Sequence, residues 1–174
     1  SDYAVTKAAA TLLCNYWAHR YQFYIPTVRL YSVYGPYEEP TRLMPTLLTQ
    51  AQKGKWPPLV NPQTARDFIY VNDVCDVLMR LTRKRSKEWG PIYNVGTGKQ
   101  ISLKRLVNTV QKMFKIKAKP RWSTMGQRQW DTNAWRANIA KIRRDYQWKP
   151  QYTLVKGLRE MNDWLLQPKW QERY

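Results

Sequence analysis

The sequence predicts an α/β protein. Stretches with the 3.6-residue apolar period of helices alternate with short β-branched and aromatic runs, and Gly-Pro or Gly-x-Gly breakers close several of those runs. At 174 residues and 43% apolar content, the chain suits one globular domain or part of a larger one.

Residues 2–21 read as a helix. Ala8, Leu12, Leu13, Tyr16 and Trp17 draw one broad apolar face on it. Residues 25–34 then read as a single buried strand that stops at Gly35-Pro36. A polar loop over 37–42 leads to a helix over 43–54, with Pro45 tolerated in its first turn. A proline-rich loop precedes a strand over 66–71. Asn72 is expected to cap the following helix, whose Val74, Val77, Leu78 and Leu81 face inward. A brief strand over 92–95 closes at Gly96-Thr97-Gly98. Ser102 and Thr153 are expected to cap two further amphipathic helices, one carrying Leu103, Leu106, Val107, Val110 and Phe114, the other Leu154, Leu158, Met161 and Leu165. No internal repeat or low-complexity tract interrupts the pattern.

Composition narrows the function classes. No apolar run is long enough to span a membrane, and no signal peptide is evident. Cys14 and Cys75 form no C-x-x-C pair and His19 is the single histidine, so neither a disulfide framework nor a zinc site is expected, and a cytoplasmic setting fits. The net charge of +18 is extreme, with basic runs at 80–87, 112–121 and 141–149. It fits either a nucleic-acid surface or solvated helix faces, and no nucleic-acid motif accompanies it. The chain opens without methionine inside a helix that reads as functional, so a piece of a longer protein is expected.

That helix holds the first chemical signal. Tyr3 and Lys7 are four residues apart and share a helix face. An ammonium beside a phenol favours the phenolate, which lets a tyrosine exchange protons near neutral pH. The same spacing also fits an ordinary surface pair. Four further segments follow in order: Arg29-Leu30-Tyr31-Ser32-Val33-Tyr34-Gly35-Pro36; Ala65-Arg66-Asp67-Phe68-Ile69-Tyr70-Val71-Asn72-Asp73-Val74; Tyr93-Asn94-Val95-Gly96-Thr97-Gly98; and Arg128-Gln129-Trp130-Asp131 with Trp148-Lys149-Pro150. Together with Tyr3 and Lys7 they closely resemble the extended short-chain dehydrogenase/reductase family, in its NAD-dependent nucleotide-sugar epimerase and dehydratase branch. The resemblance runs from Tyr3 to about Leu166.

The resemblance implies a Rossmann-type doubly wound sheet that binds NAD or NADP, and a small α/β domain that binds a nucleoside-diphosphate sugar. This chain would be the second half. Residues 1–36 would carry the catalytic helix and the following Rossmann strand. Residues 37–174 would form mainly the sugar-nucleotide domain, with 66–95 partly returning to the Rossmann core. The cofactor's Gly-rich turn, its acidic ribose ligand and a third catalytic residue would lie upstream. The implied roles are proton exchange for Tyr3, activation of Tyr3 and ribose contact for Lys7, and nicotinamide packing for Leu30 and Tyr31. Ser32, Leu43, Arg66, Arg128 and Asp131 would bind substrate, with a plain core role equally open to Leu43 and orientation of Arg128 open to Asp131. Ser32 stands where the family usually has Asn, leaving one hydroxyl in place of an amide. Arg66 and Arg128 suit a diphosphate, because a planar guanidinium binds phosphate oxygens in bidentate fashion. Either could also be one more surface arginine. Asp67 is expected to pair locally, Asp73 to sit in a helix first turn, and Trp130, Trp135 and Trp148 to pack, with base stacking open to Trp130. Arg29 is balanced between a structural pairing and a site role.

Trp56-Pro57-Pro58-Leu59-Val60 and residues 125–132 resemble enzymes of deoxysugar nucleotides for surface polysaccharides, including reductases and epimerases. The implied activity is epimerisation, reduction or dehydration of a nucleoside-diphosphate sugar by a homodimer, without nucleic acid or membrane. The alternative from another class is a non-catalytic RNA-binding or assembly protein on the same fold, suggested by the charge.

Overall fold

The computed structural model describes residues 1–125 and 134–170. Helix α1 (Asp2–Tyr21) leads into strand β1 (Thr27–Leu30), strand β2 (Ser32–Tyr34) and helix α2 (Leu43–Gln52). Strands β3 (Ala65–Arg66) and β4 (Phe68–Tyr70) run straight into helix α3 (Val71–Arg83). Strand β5 (Ile92–Val95), strand β6 (Ile101–Ser102) and helix α4 (Leu103–Phe114) follow, and helices α5 (Ala140–Tyr146) and α6 (Leu154–Leu165) complete the order before a 3-10 turn at Pro168–Trp170. Among the described residues, no helix is long and apolar enough to cross a membrane.

The expected single strand over 25–34 is two strands. β1 pairs with β5 in parallel, Thr27 opposite Ile92 and Leu30 opposite Val95, whereas β2 pairs with β4 in parallel, Ser32 opposite Phe68. The partner changes at one peptide step: Tyr31 N–H donates to the Val95 carbonyl and Ser32 N–H to the Asp67 carbonyl. The stretch is also not uniformly buried, since Arg29 and Leu30 lie exposed. The expected strand over 66–71 likewise divides at Asp67. β3 pairs antiparallel with β6, and Val71 already belongs to α3. Tyr70, not Asn72, holds the N-cap position of α3; Asn72 sits in the first turn and donates from Nδ2 to the Tyr152 hydroxyl at 3.2 Å.

Ser102 and Thr153 cap as expected, with Ser102 Oγ accepting from Arg105 N–H and Thr153 Oγ1 from Lys156 N–H. β6 and α5 were not foreseen. α5 is only seven residues long and strongly basic, too short to show a helical period.

Apolar residues gather in two clusters. One joins α2, α4 and α6 around Leu47, Leu48, Leu106, Val107, Leu158 and Met161; the other joins β5, α3 and α5 around Ile69, Val77, Tyr93, Ile142 and Trp148. Leu78 departs from its expected inward position and is 45% exposed. The apolar face of α1 is also uncovered here: Ala18 is the buried residue of that helix, and Leu12 and Tyr16 lie open.

Gly157 on α6 lies directly over the buried Tyr34 ring. A Cβ there would overlap the Tyr34 hydroxyl and come within 2.9 Å of its Cζ and 3.0 Å of Tyr70 Cδ2. Tyr34 is wedged edge-on against Phe68 and Tyr70 and cannot swing away freely. Gly157→Ala is therefore expected to cost about 1–3 kcal/mol of stability, read as a lower urea midpoint. An unchanged midpoint would mean that α6 shifts without penalty.

Candidate active site and nucleotide-binding cavity

The turn after β2 shapes the site. Gly35 has φ 147°, a conformation glycine tolerates, and a Cβ there would come 2.6 Å from Val71 Cγ1. Tyr37 follows at φ 67°. The chain thus folds back sharply and directs residues 38–43 over a cavity of about 320 Å³. Ser32, Leu43 and Arg66 all line it, together with Glu38, Thr41, Arg42, Val60 and Met125. Three substrate residues expected from three separate segments therefore share one cavity. Its volume is in the range of small-ligand sites.

Arg66 is held from two sides. Its Nη1 donates to its neighbour's carbonyl, Ala65 O, at 2.9 Å, and its guanidinium lies 5.6 Å from the Trp135 ring centroid. The Trp135 ring meets Tyr31 edge-on at 6.0 Å, and the Trp135 backbone N–H donates to Gln100 Oε1. Trp135 was expected merely to pack; at 44% exposure it instead links Tyr31 to Arg66. Arg128, Asp131 and Trp130 lie outside the described residues.

Tyr3 and Lys7 share a face of α1, with Lys7 Nζ 5.9 Å from the Tyr3 ring centroid and Tyr3 71% exposed. Neither they nor Leu30 and Tyr31 are among the cavity walls. Leu30 instead stands exposed at the carboxyl end of parallel β1. Ligands of open α/β sheets bind at that edge, and an exposed apolar side chain there suits a flat aromatic ring. The residues present fit a nicotinamide on those grounds.

No pyrophosphate cradle is formed at Gly96-Thr97-Gly98. Its donors serve Asp67, which is fully buried. Asp67 Oδ1 accepts from Thr97 N–H at 2.7 Å and Thr97 Oγ1 at 2.6 Å, while Oδ2 accepts from Gly98 N–H at 2.9 Å and Ala137 N–H at 3.0 Å. Asp67 was expected to pair locally, but these partners are 30 to 70 residues away in sequence. Asp73 holds the 149–152 segment in the same manner, accepting from Gln151 and Tyr152 N–H. Trp148 is buried as expected.

Sequence reasoning missed Glu38 and Arg42, which it left in a polar loop. Glu38 is a largely buried carboxyl on the cavity wall, 3.8 Å from Arg42 Nε, four residues on in the loop before α2. Burial pushes the Glu38 carboxyl up to about 7, against the lowering effects of the Arg42 charge and the Gly35 backbone. A Glu two residues after a Gly-Pro breaker, in the short loop before a helix, was the available signal.

Fold and cavity define an α/β protein whose pocket is walled by β2, Phe68 of β4 and the turn carrying Glu38 and Arg42, with Arg66 as a cation suited to an anion. Residues 1–96 match the family model described as the NAD dependent epimerase/dehydratase family, and the chain belongs to that family. It is 27% identical over 192 residues to Protein CapI of Staphylococcus aureus, covering 96% of this chain and 54% of that protein. It is 28% identical over 181 residues to UDP-glucuronate 4-epimerase 5 of Arabidopsis thaliana, covering 95% of this chain and 41% of that one. The crystal structure of dTDP-glucose 4,6-dehydratase from Bacillus anthracis str. Ames, in complex with NAD, superposes with a TM-score of 0.85 at 26% identity, over all of this chain and 55% of that one. The architecture is thus the Rossmann type, and the chain spans about half the length of the relatives it matches.

Proposed function

We propose that this chain is the substrate-binding and proton-exchanging half of an NAD- or NADP-dependent enzyme that epimerises, reduces or dehydrates a nucleoside-diphosphate sugar. The observation that carries this reading is the meeting of Ser32, Leu43 and Arg66 in one cavity. Arg66, steadied by Trp135, holds the diphosphate through a guanidinium that keeps its charge. Ser32 offers one hydroxyl to the sugar or its diphosphate. Tyr3 takes or returns the proton of a sugar hydroxyl, with Lys7 beside it on the same face of α1. Leu30 and Tyr31 form an apolar rest for the nicotinamide ring. When bound, the nicotinamide supplies hydride exchange at the sugar carbon. A role in deoxysugar or surface-polysaccharide synthesis, a homodimer and a cytoplasmic setting belong to the same reading. So does the division into a 1–36 segment and a 37–174 domain, with 66–95 shared.

A second reading, a non-catalytic RNA-binding or assembly protein, is favoured by one observation. The basic runs at 80–87 and 141–149 meet on one face: Lys84 Nζ donates to the Asp145 carbonyl at 2.9 Å and Arg80 Nη1 to the Tyr146 carbonyl at 3.5 Å.

The deciding experiment is turnover of a nucleotide-sugar panel by the intact protein with NAD or NADP. Arg66→Lys, which keeps the charge but loses the planar fork, is expected to raise KM about 10-fold or more with a smaller change in kcat. Absence of turnover, together with tight salt-sensitive RNA binding, would replace the enzyme reading with the second one.

A further inference from the structure

Glu38 is an unexpected group in this cavity. Leu43, Met44, Leu59, Val60 and Met125 give the walls an apolar lining, and Arg66 suits them to an anion. A carboxylate in the same wall opposes the binding of a diphosphate, so its presence there calls for a compensating contact with another part of the ligand. The backbone places it deliberately: Glu38 N–H donates to Gly35 O at 3.3 Å within the glycine-dependent turn, which leaves the Glu38 side chain 14% exposed while neighbouring Glu39 stays open to solvent.

We propose that Glu38 sets the charge specificity of the cavity, admitting a sugar nucleotide that presents a hydroxyl or an ammonium to this wall and turning away one that presents a carboxylate. This rests on the nucleotide-sugar reading above and adds the substrate class to it. A sugar hydroxyl donates to the Glu38 carboxylate, and an ammonium pairs with it. A uronate carboxylate can do neither. It meets either a like charge in a partly dehydrated site or a carboxyl that must first be protonated. Among the residues lining the cavity, the other charged or titratable groups are Arg42, Arg66 and Tyr34. Arg42 pairs with Glu38 at 3.8 Å but is itself 70% exposed, so water screens the pair. Tyr34 is held neutral, its ionisation pushed up by burial.

The relatives include proteins named for both substrate types, a UDP-glucuronate 4-epimerase and a dTDP-glucose 4,6-dehydratase. The proposal places this chain with neutral or amino sugars.

The test is calorimetric titration of the intact protein with matched pairs: UDP-glucose against UDP-glucuronate, and dTDP-glucose against dTDP-glucuronate. At pH 8 the neutral member of the accepted pair is expected to bind about tenfold more tightly or better, as one like-charge contact in a partly buried site implies. Glu38→Gln should bring the two within about threefold. A second measurement covers the case in which Glu38→Gln does not fold. Burial pushes the Glu38 carboxyl up to about 7, whereas the phosphates and the uronate carboxylate of the ligands stay ionised between pH 6 and pH 8. The preference of the unaltered protein should therefore shrink at pH 6. Equal affinities at pH 8, or an undiminished preference in Glu38→Gln, would overturn the proposal and leave the nucleotide-sugar reading standing. Failure of all four compounds to bind would overturn the proposal, and failure across the wider nucleotide-sugar panel would remove that reading as well.

Discussion

Tyr3→Phe is expected to lower turnover of the accepted nucleotide sugar about 10²–10⁴-fold in the intact protein, the usual contribution of a positioned proton-transfer group. The substitution removes one oxygen. Tyr3 is 71% exposed, and the pairing of its ring with Lys7 does not depend on the hydroxyl, so folding should be unaffected. Affinity for NAD or NADP should stay nearly constant, because the contacts assigned to Lys7, Leu30 and Tyr31 remain. The signature is thus a fall in kcat with little change in cofactor Kd, measured by steady-state kinetics beside a cofactor titration. A rate within a fewfold of the unaltered protein would take Tyr3 out of the chemistry and leave the Tyr3–Lys7 pair as a surface feature.

Asp67→Ala should produce the largest loss of stability. The carboxylate is fully buried and accepts four hydrogen bonds from Thr97, Gly98 and Ala137. Removing it strands those donors and leaves a hole beneath the 96–98 turn, where Gly96 has no room for even a Cβ: one would meet Ala137 Cβ at 2.6 Å. Hydrogen bonds to a charged group contribute about 1.5–3 kcal/mol each, and buried donors left without acceptors add their own cost. A loss of at least about 3 kcal/mol is expected, a large part of the stability of an ordinary domain. Asp67→Asn keeps the shape but turns an amide N–H₂ towards existing donors, so it should fall between. Urea denaturation of the three proteins checks this order. Matching midpoints for Asp67→Ala and the parent would mean that water replaces the carboxylate without penalty. Since Arg66 precedes Asp67 and shares its β3–β4 corner, a partly folded Asp67→Asn should also bind substrate more weakly.

Much of this molecule was legible beforehand where local chemistry decides the outcome. The helices with a clear apolar period formed, and Ser102 and Thr153 capped α4 and α6, because a hydroxyl one step before a helix meets an orphan N–H whatever surrounds it. Ser32 and Arg66, taken from two of the ordered motifs, and Leu43, from outside them, line one cavity. The breaks at Tyr31 and Asp67 were not legible. Each marks a point where the backbone exchanges one partner strand for another, and the competing partners lie some 30 to 70 residues away. Glu38 was missed for a related reason: in sequence it is one acid in a polar run, and only the Gly35–Tyr37 turn separates it from the exposed Glu39.

Periodicity, capping residues and the order of the motifs thus determined the α/β class, most of the helices and the identity of the candidate site residues, since each depends on neighbours within a turn or two. The tertiary structure alone decided that Asp67 binds the glycine turn, that Trp135 bridges Tyr31 and Arg66, that Glu38 faces the cavity and that the apolar side of α1 is left uncovered. Those outcomes depend on contacts between segments far apart in the chain, where burial and charge are set by what the fold brings alongside and not by the residues next in line.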